Sequence, residues 1–119
     1  MKIVIIGTVS SSILGFRGPL IKELVRKGYD VYAFAIDYTE QQRQLLASLG
    51  VVAVDYQLSR SGLNLFSDFR TMFQLKAKLK SIKPDIVFSY FVKPVIYGTL
   101  AASLVKIPVR IAMLEGLGY

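Results

Sequence analysis

The sequence predicts an α/β domain of three layers: a mainly parallel, twisted sheet of about five strands between helices. Three observations predict it. Short apolar, β-branched runs alternate with helical-period segments along the whole chain of 119 residues. The strand segments read as continuous apolar runs, as strands covered on both faces do. Connections between them are short, which suits right-handed crossovers in one sheet.

The first strand is Ile3 to Ile6, broken by Gly7-Thr8-Val9-Ser10-Ser11-Ser12 into a loop of roughly ten residues. From Pro19 the period turns helical, with Leu20, Ile21, Leu24 and Val25 on one stripe. Lys27-Gly28 ends that helix with a cation followed by glycine. Val31 to Ile36 is the second strand, and Thr39 caps a polar helix that turns Leu45, Leu46 and Leu49 inward before Gly50. Val51 to Tyr56 is the third strand, with a loop from Gln57 to Asn64. A long helix follows from Leu65 to Lys83, stopped by Pro84. Asp85 to Ser89 is the fourth strand, Pro94 to Leu104 a helix rich in small residues, and Pro108 to Leu114 the fifth strand. This order is Rossmann-like, over a single domain of residues 1–119.

Composition narrows the chemistry. Apolar residues are 53% and charged ones 19%, which excludes disorder. The mean hydropathy of +0.47 is high. Buried parallel strands explain it better than a membrane span, because the best window, Asp85 to Val105, is broken by Lys93-Pro94 and Gly98. Only the run Ile3-Val4-Ile5-Ile6 precedes Gly7 after Lys2, too short for a signal peptide, so a cytoplasmic location is expected. The chain has no Cys and no His, which removes disulfides, thiolate chemistry, the commonest general base and the commonest metal ligand. No metal site is expected. A net charge of +7 points to an anionic partner, but no nucleic-acid-binding motif appears.

Gly7 follows a strand and precedes a helix, which invites a dinucleotide reading. The glycines at 7, 15 and 18 are spaced too widely for the tight pyrophosphate turn, and no Gly-Lys-Ser/Thr run exists for a P-loop. Asp37 at the end of the second strand is the one position that would suit a ribose. Instead, Thr8, Ser10, Ser11 and Ser12 could present hydroxyls and backbone amides to a polyhydroxylated or phosphorylated ligand, with Arg17 as a fixed cation. The competing reading is an ordinary polar loop in which Ser12 forms a local turn. Lys93, placed just before a helix N-terminus by Pro94, suits an anion better than it suits the helix dipole, the alternative being a solvent-facing lysine on a loop. Glu115 between strand and Gly116-Leu117-Gly118 could orient sugar hydroxyls or a leaving group, or the glycines could simply make a turn.

The long helix carries a separate signal. Leu65, Phe66, Phe69, Met72, Phe73, Leu75, Leu79 and Ile82 cover roughly 200° of its circumference, about twice what packing on one sheet needs. Arg70, Lys76, Lys78, Lys80 and Lys83 lie among or beside them. Apolar surface interleaved with cations marks an interfacial helix on an anionic membrane. Lysines snorkelling from a core helix are the alternative.

Taken together, the residues resemble the N-terminal half of a family-4 glycosyltransferase with the GT-B fold, of the kind that builds bacterial surface polysaccharides such as capsule or O-antigen. The resemblance rests on Gly7-Thr8, Phe16-Arg17-Gly18-Pro19-Leu20-Ile21-Lys22, Lys27-Gly28-Tyr29-Asp30-Val31 and Ser59-Arg60-Ser61-Gly62-Leu63-Asn64. It continues through Lys83-Pro84-Asp85-Ile86-Val87, Lys93-Pro94-Val95-Ile96-Tyr97-Gly98 and Glu115-Gly116-Leu117-Gly118-Tyr119. It implies two Rossmann-like domains facing across a cleft, of which this chain is the acceptor side and a further C-terminal domain holds the nucleotide-sugar donor. No cofactor is expected on this half. The acceptor would be a lipid-linked or other glycan, reached peripherally at the inner face of the cytoplasmic membrane. Gly7, Thr8, Ser10, Ser11, Arg17, Ser89, Tyr90, Lys93, Glu115, Gly116 and Gly118 would line one wall of the cleft.

The resemblance also implies retention of anomeric configuration, with the departing diphosphate helping to deprotonate the acceptor, which needs no enzymic base here. Many members carry a histidine after the fourth strand where this chain has Ser89-Tyr90, so that histidine's role does not transfer. Residues 1–119 alone are expected to fold but transfer no sugar. The alternatives are a non-catalytic membrane-docking or acceptor-binding subunit of a split glycosyltransferase, and a nucleotide-binding Rossmann module.

Overall fold

The computed structural model describes residues 1–15, 18–58, 65–90 and 92–113. In chain order they form β1 (Lys2–Ile6), α1 (Ser10–Leu14), α2 (Gly18–Arg26), β2 (Asp30–Ala35), α3 (Glu40–Ser48), β3 (Val51–Asp55), α4 (Leu65–Ile82), β4 (Ile86–Tyr90), α5 (Val92–Leu104) and β5 (Val109–Met113). The five strands make one parallel sheet in the order β3-β2-β1-β4-β5. Central β1 pairs on both sides, Ile3 standing opposite Val31 of β2 and Ile86 of β4.

Side-chain alternation along β1 builds the three layers. Ile3 and Ile5 face α1, α2 and α3, packing with Ile13, Ile21 and Leu46. Val4 and Ile6 face α4 and α5, packing with Leu75, Leu79, Ala101 and Ala102. With both faces of the sheet covered, the continuous apolar runs are explained without a membrane span. No helix among the described residues is long and apolar enough to cross a membrane.

The α3 helix starts as the sequence predicts. The Thr39 side chain accepts from the Gln42 backbone N–H at 3.2 Å, while Gln42 Oε1 accepts from the Thr39 N–H at 2.9 Å. Three details differ. A short helix, α1, occupies five residues of the expected first loop. Helix α5 begins at Val92 rather than Pro94, because proline is tolerated throughout a first turn, where its missing N–H would have no partner anyway. Leu45 is half exposed while Leu46 is buried, since neighbours on a helix lie about 100° apart and cannot both face the sheet.

Candidate functional site

All five strands end on one edge of the sheet. Between β1 and β4 the chain order reverses direction, which opens a crevice at the strand C-termini, the usual ligand position in such sheets. The loop after β1 and the start of α5 flank this point, so Gly7, Thr8, Ser10, Ser11 and the backbone of Lys93 gather at one rim.

The β1–α1 turn is braced from three directions. The Tyr56 hydroxyl donates to the Gly7 carbonyl, and the Gly7 N–H donates to the Phe34 carbonyl at 3.0 Å. From the loop after β2, Asp37 Oδ1 accepts from the Ser10 N–H at 2.6 Å. From β4, the Tyr90 hydroxyl lies 2.9 Å from Ser12 Oγ, which itself donates to the Val9 carbonyl at 2.7 Å. Ser12 is therefore a turn former, tied also to the core. Ser10 and Ser12 are buried, which leaves half-buried Thr8 and exposed Ser11 as the hydroxyl side chains turned toward solvent on this turn.

Asp37 thus serves a purpose that sequence reasoning missed. One of its carboxylate oxygens holds the first amide of α1. Tyr90 closes over Gly7 so tightly that a Cβ there would overlap its hydroxyl. A turn filled in this way has no room for the close approach of a pyrophosphate that the dinucleotide fingerprint provides.

Two expected contacts are corrected. Ser89 is fully buried beneath Gly98 of α5, its Oγ without a hydrogen-bond partner among the described residues. Tyr90 is buried on the opposite face of the sheet. Successive strand residues point to opposite faces, so both side chains enter the core rather than the rim. Lys93 is the second residue of α5, inside its first turn instead of ahead of it, and its side chain lies outside the description. Arg17, Glu115, Gly116 and Gly118 lie outside the described residues.

On the other face, α4 buries Asp68, Thr71, Leu75 and Leu79 and leaves Phe69 and Phe73 57% and 59% exposed. At about 100° per residue, Phe69, Phe73, Lys76 and Lys80 form one stripe within about 60° of arc. Arg70 flanks that stripe, Lys78 lies on the far side of the helix, and Lys83 follows its last residue. The Tyr97 hydroxyl of α5 donates to Asp68 Oδ2 at 2.9 Å, a bond that raises the phenol's pKa and fixes α5 against α4.

Residues 2–119 match the model of a family described as glycosyl transferase 4-like. The chain belongs to that family. As a member, it is similar to the N,N'-diacetylbacillosaminyl-diphospho-undecaprenol alpha-1,3-N-acetylgalactosaminyltransferase of Campylobacter jejuni, with 36% identity over 118 residues, 99% of this chain and 31% of that protein. Among solved structures it resembles Acinetobacter baumannii MurG (TM-score 0.67, 23% identity, 93% of this chain and 33% of that one). A glycosyltransferase from Rickettsia africae is also similar (TM-score 0.71, 16% identity, 93% and 28%). The last two likenesses establish the fold. This family member spans about a third of the length of each relative.

Proposed function

We propose that residues 1–119 form the acceptor-side wall of a retaining GT-B glycosyltransferase that moves a sugar from a nucleotide-sugar to a lipid-linked glycan acceptor. The observation that carries this reading is the 36% identity, across nearly the whole chain, to a transferase whose name specifies a diphospho-undecaprenol acceptor. The geometry supports it: the rim at the β1/β4 crevice is a rigid, braced turn offering Thr8 and Ser11 to a polyhydroxylated ligand. The nucleotide-sugar is held by a C-terminal domain facing this rim, and this half carries no cofactor.

In the transfer, an acceptor hydroxyl forms the new bond to the anomeric carbon as the bond to the nucleoside diphosphate breaks. The hydroxyl proton passes to the departing diphosphate oxygen. A chain without histidine suits that route, since it asks for no side-chain base on this wall. The exposed Phe69 and Phe73 with Lys76 and Lys80 support work at an anionic membrane surface, on the cytoplasmic side.

The test joins residues 1–119 to the C-terminal part of the Campylobacter relative and follows radiolabelled sugar transfer to a polyprenyl-diphosphate-linked acceptor. Turnover by the chimera, and none by residues 1–119 alone, is the expected result. A folded chimera that binds the nucleotide-sugar but transfers nothing to any such acceptor overturns the reading.

A further inference from the structure

Among the described residues four helices end in a left-handed residue, and they do so in two ways. After α2 and α3 the residue is glycine: Gly28 at φ 92° and Gly50 at φ 84°. Such residues pay no steric penalty for positive φ. After α4 and α5 it is lysine instead: Lys83 at φ 55° and Lys106 at φ 60°, the two positive-φ residues other than glycine among those described. A side chain in this conformation is uncommon and disfavoured.

Dipole chemistry alone does not require lysine there. A cation near a helix C-terminus is favourable, but the Lys27-Gly28 pair shows how this chain supplies one without strain, with charge and turn on separate residues. Lys83 and Lys106 combine the two functions, and they do so at one place. Together with Lys80 they line a surface pocket of about 290 Å³ between the ends of α4 and α5, walled by Leu79, Val105 and Ile107. No carboxylate among the described residues lines it. The nearest acid in sequence, Asp85, has its Oδ2 accepting from the Lys2 backbone N–H at 2.9 Å.

The pocket opens at the end of the outer face of α4 and α5. Farther along that face Phe69, Phe73, Ile96 and Leu100 are each about half exposed. Lys80 shares the stripe of Phe69 and Phe73, about 16 Å along the axis from Phe69 at 1.5 Å per residue. Aromatic and aliphatic surface at one end of a face, and three cations around a concavity at the other, complement the two chemistries of an anionic bilayer.

We propose that the Lys80, Lys83 and Lys106 pocket binds the headgroup phosphate of an anionic membrane lipid while Phe69, Phe73, Ile96 and Leu100 enter the acyl boundary. This rests on the reading that the chain works at a membrane surface, and it adds a defined lipid site to that reading. The occupant is a bilayer lipid rather than a free phosphate because Lys80, which lines the pocket, shares the α4 stripe of the exposed Phe69 and Phe73.

The test uses cosedimentation with phosphatidylcholine vesicles, with and without phosphatidylglycerol. The Lys83→Gly, Lys106→Gly double variant relieves backbone strain, so its thermal midpoint stays level or rises. Its affinity for the anionic vesicles should fall by about fivefold per lysine, on the order of 25-fold for the pair. A charge-matched control, Lys22→Gln with Lys27→Gln on the opposite layer, should lose less than about twofold, since that layer faces away from the bilayer. Equal loss in both pairs, or no loss in the glycine pair, overturns the pocket and leaves the membrane reading standing. No binding of the wild type to anionic vesicles removes both. Millimolar inorganic phosphate should compete poorly; displacement of vesicles by phosphate alone would show a free-anion site and overturn the lipid assignment.

Discussion

The hydroxyls of Ser12 and Tyr90 meet at 2.9 Å although 78 positions separate them in sequence. This contact joins α1, the helix after β1, to the last residue of β4; β1 and β4 are the two strands whose divergence creates the crevice. The tyrosine ring that makes it also fills the space above Gly7, so the shape of the rim depends on a side chain from the core.

Replacing Gly7 by alanine should therefore destabilise the chain by about 1–3 kcal/mol, the usual range for overpacking. The added methyl overlaps the Tyr90 hydroxyl and also crowds Ile13 Cδ1 at 3.2 Å. Tyr90→Phe alone should lose about 1 kcal/mol with its hydrogen bond, yet should recover part of the Gly7→Ala loss when the two are combined. Urea denaturation of the four proteins of this cycle reads the coupling directly, and strictly additive losses would show that Tyr90 does not shape the turn.

Ser89 poses the opposite case. Its hydroxyl is fully buried without a partner among the described residues, and a Cβ on Gly98 would stand 2.7 Å from its Oγ and 3.0 Å from Ile6 Cδ1. Ser89→Ala should raise stability by roughly 1 kcal/mol, because the desolvation of an unpaired hydroxyl disappears. Gly98→Ala should destabilise by about 1–3 kcal/mol in the native background and by less where Ser89 is already alanine. A fall in the unfolding midpoint for Ser89→Ala would mean that the hydroxyl has a partner when the chain is in solution.

The layers were legible because burial on both sheet faces writes itself into the sequence as apolar runs, and the helix ends because Thr39, Gly28, Gly50 and Pro84 punctuate them. Direction within an element was harder to read. Leu45 and Leu46 look alike in sequence, but the structure exposes 50% of one and 1% of the other. Leu46→Ala should cost about 2–5 kcal/mol, and Leu45→Ala less than about 0.5 kcal/mol. The rim was legible as a place, since Gly7 through Ser11 and Lys93 follow strand ends, but its wiring was not. Long-range partners such as Tyr56 for Gly7 and Asp37 for Ser10 leave no local pattern. Ser89 and Tyr90 misled for the same reason, polar side chains at a strand end being equally compatible with a ligand and with the core.

Tyr56, which braces the rim, and Tyr38, whose hydroxyl donates to the Ala33 carbonyl at 2.9 Å, also set the response to alkali. Burial first, and then the neighbouring Tyr90, Asp55 and Asp37, push the Tyr38 phenol up beyond the usual tyrosine range, and Tyr56 is raised by burial first and then by Tyr90 and Tyr38. An unfolded chain releases these protons near about pH 10, while the native state keeps them. The native state then binds more protons, so stability is unaffected below about pH 10 and falls as the pH rises past it. Tyr56→Phe should lose about 1 kcal/mol at neutral pH with its bond to the Gly7 carbonyl, yet show a shallower alkaline decline than the wild type. Urea midpoints followed from about pH 8 to about pH 11 test this, and a decline of equal steepness in the Tyr56→Phe and Tyr38→Phe variants would place the alkaline sensitivity on other groups.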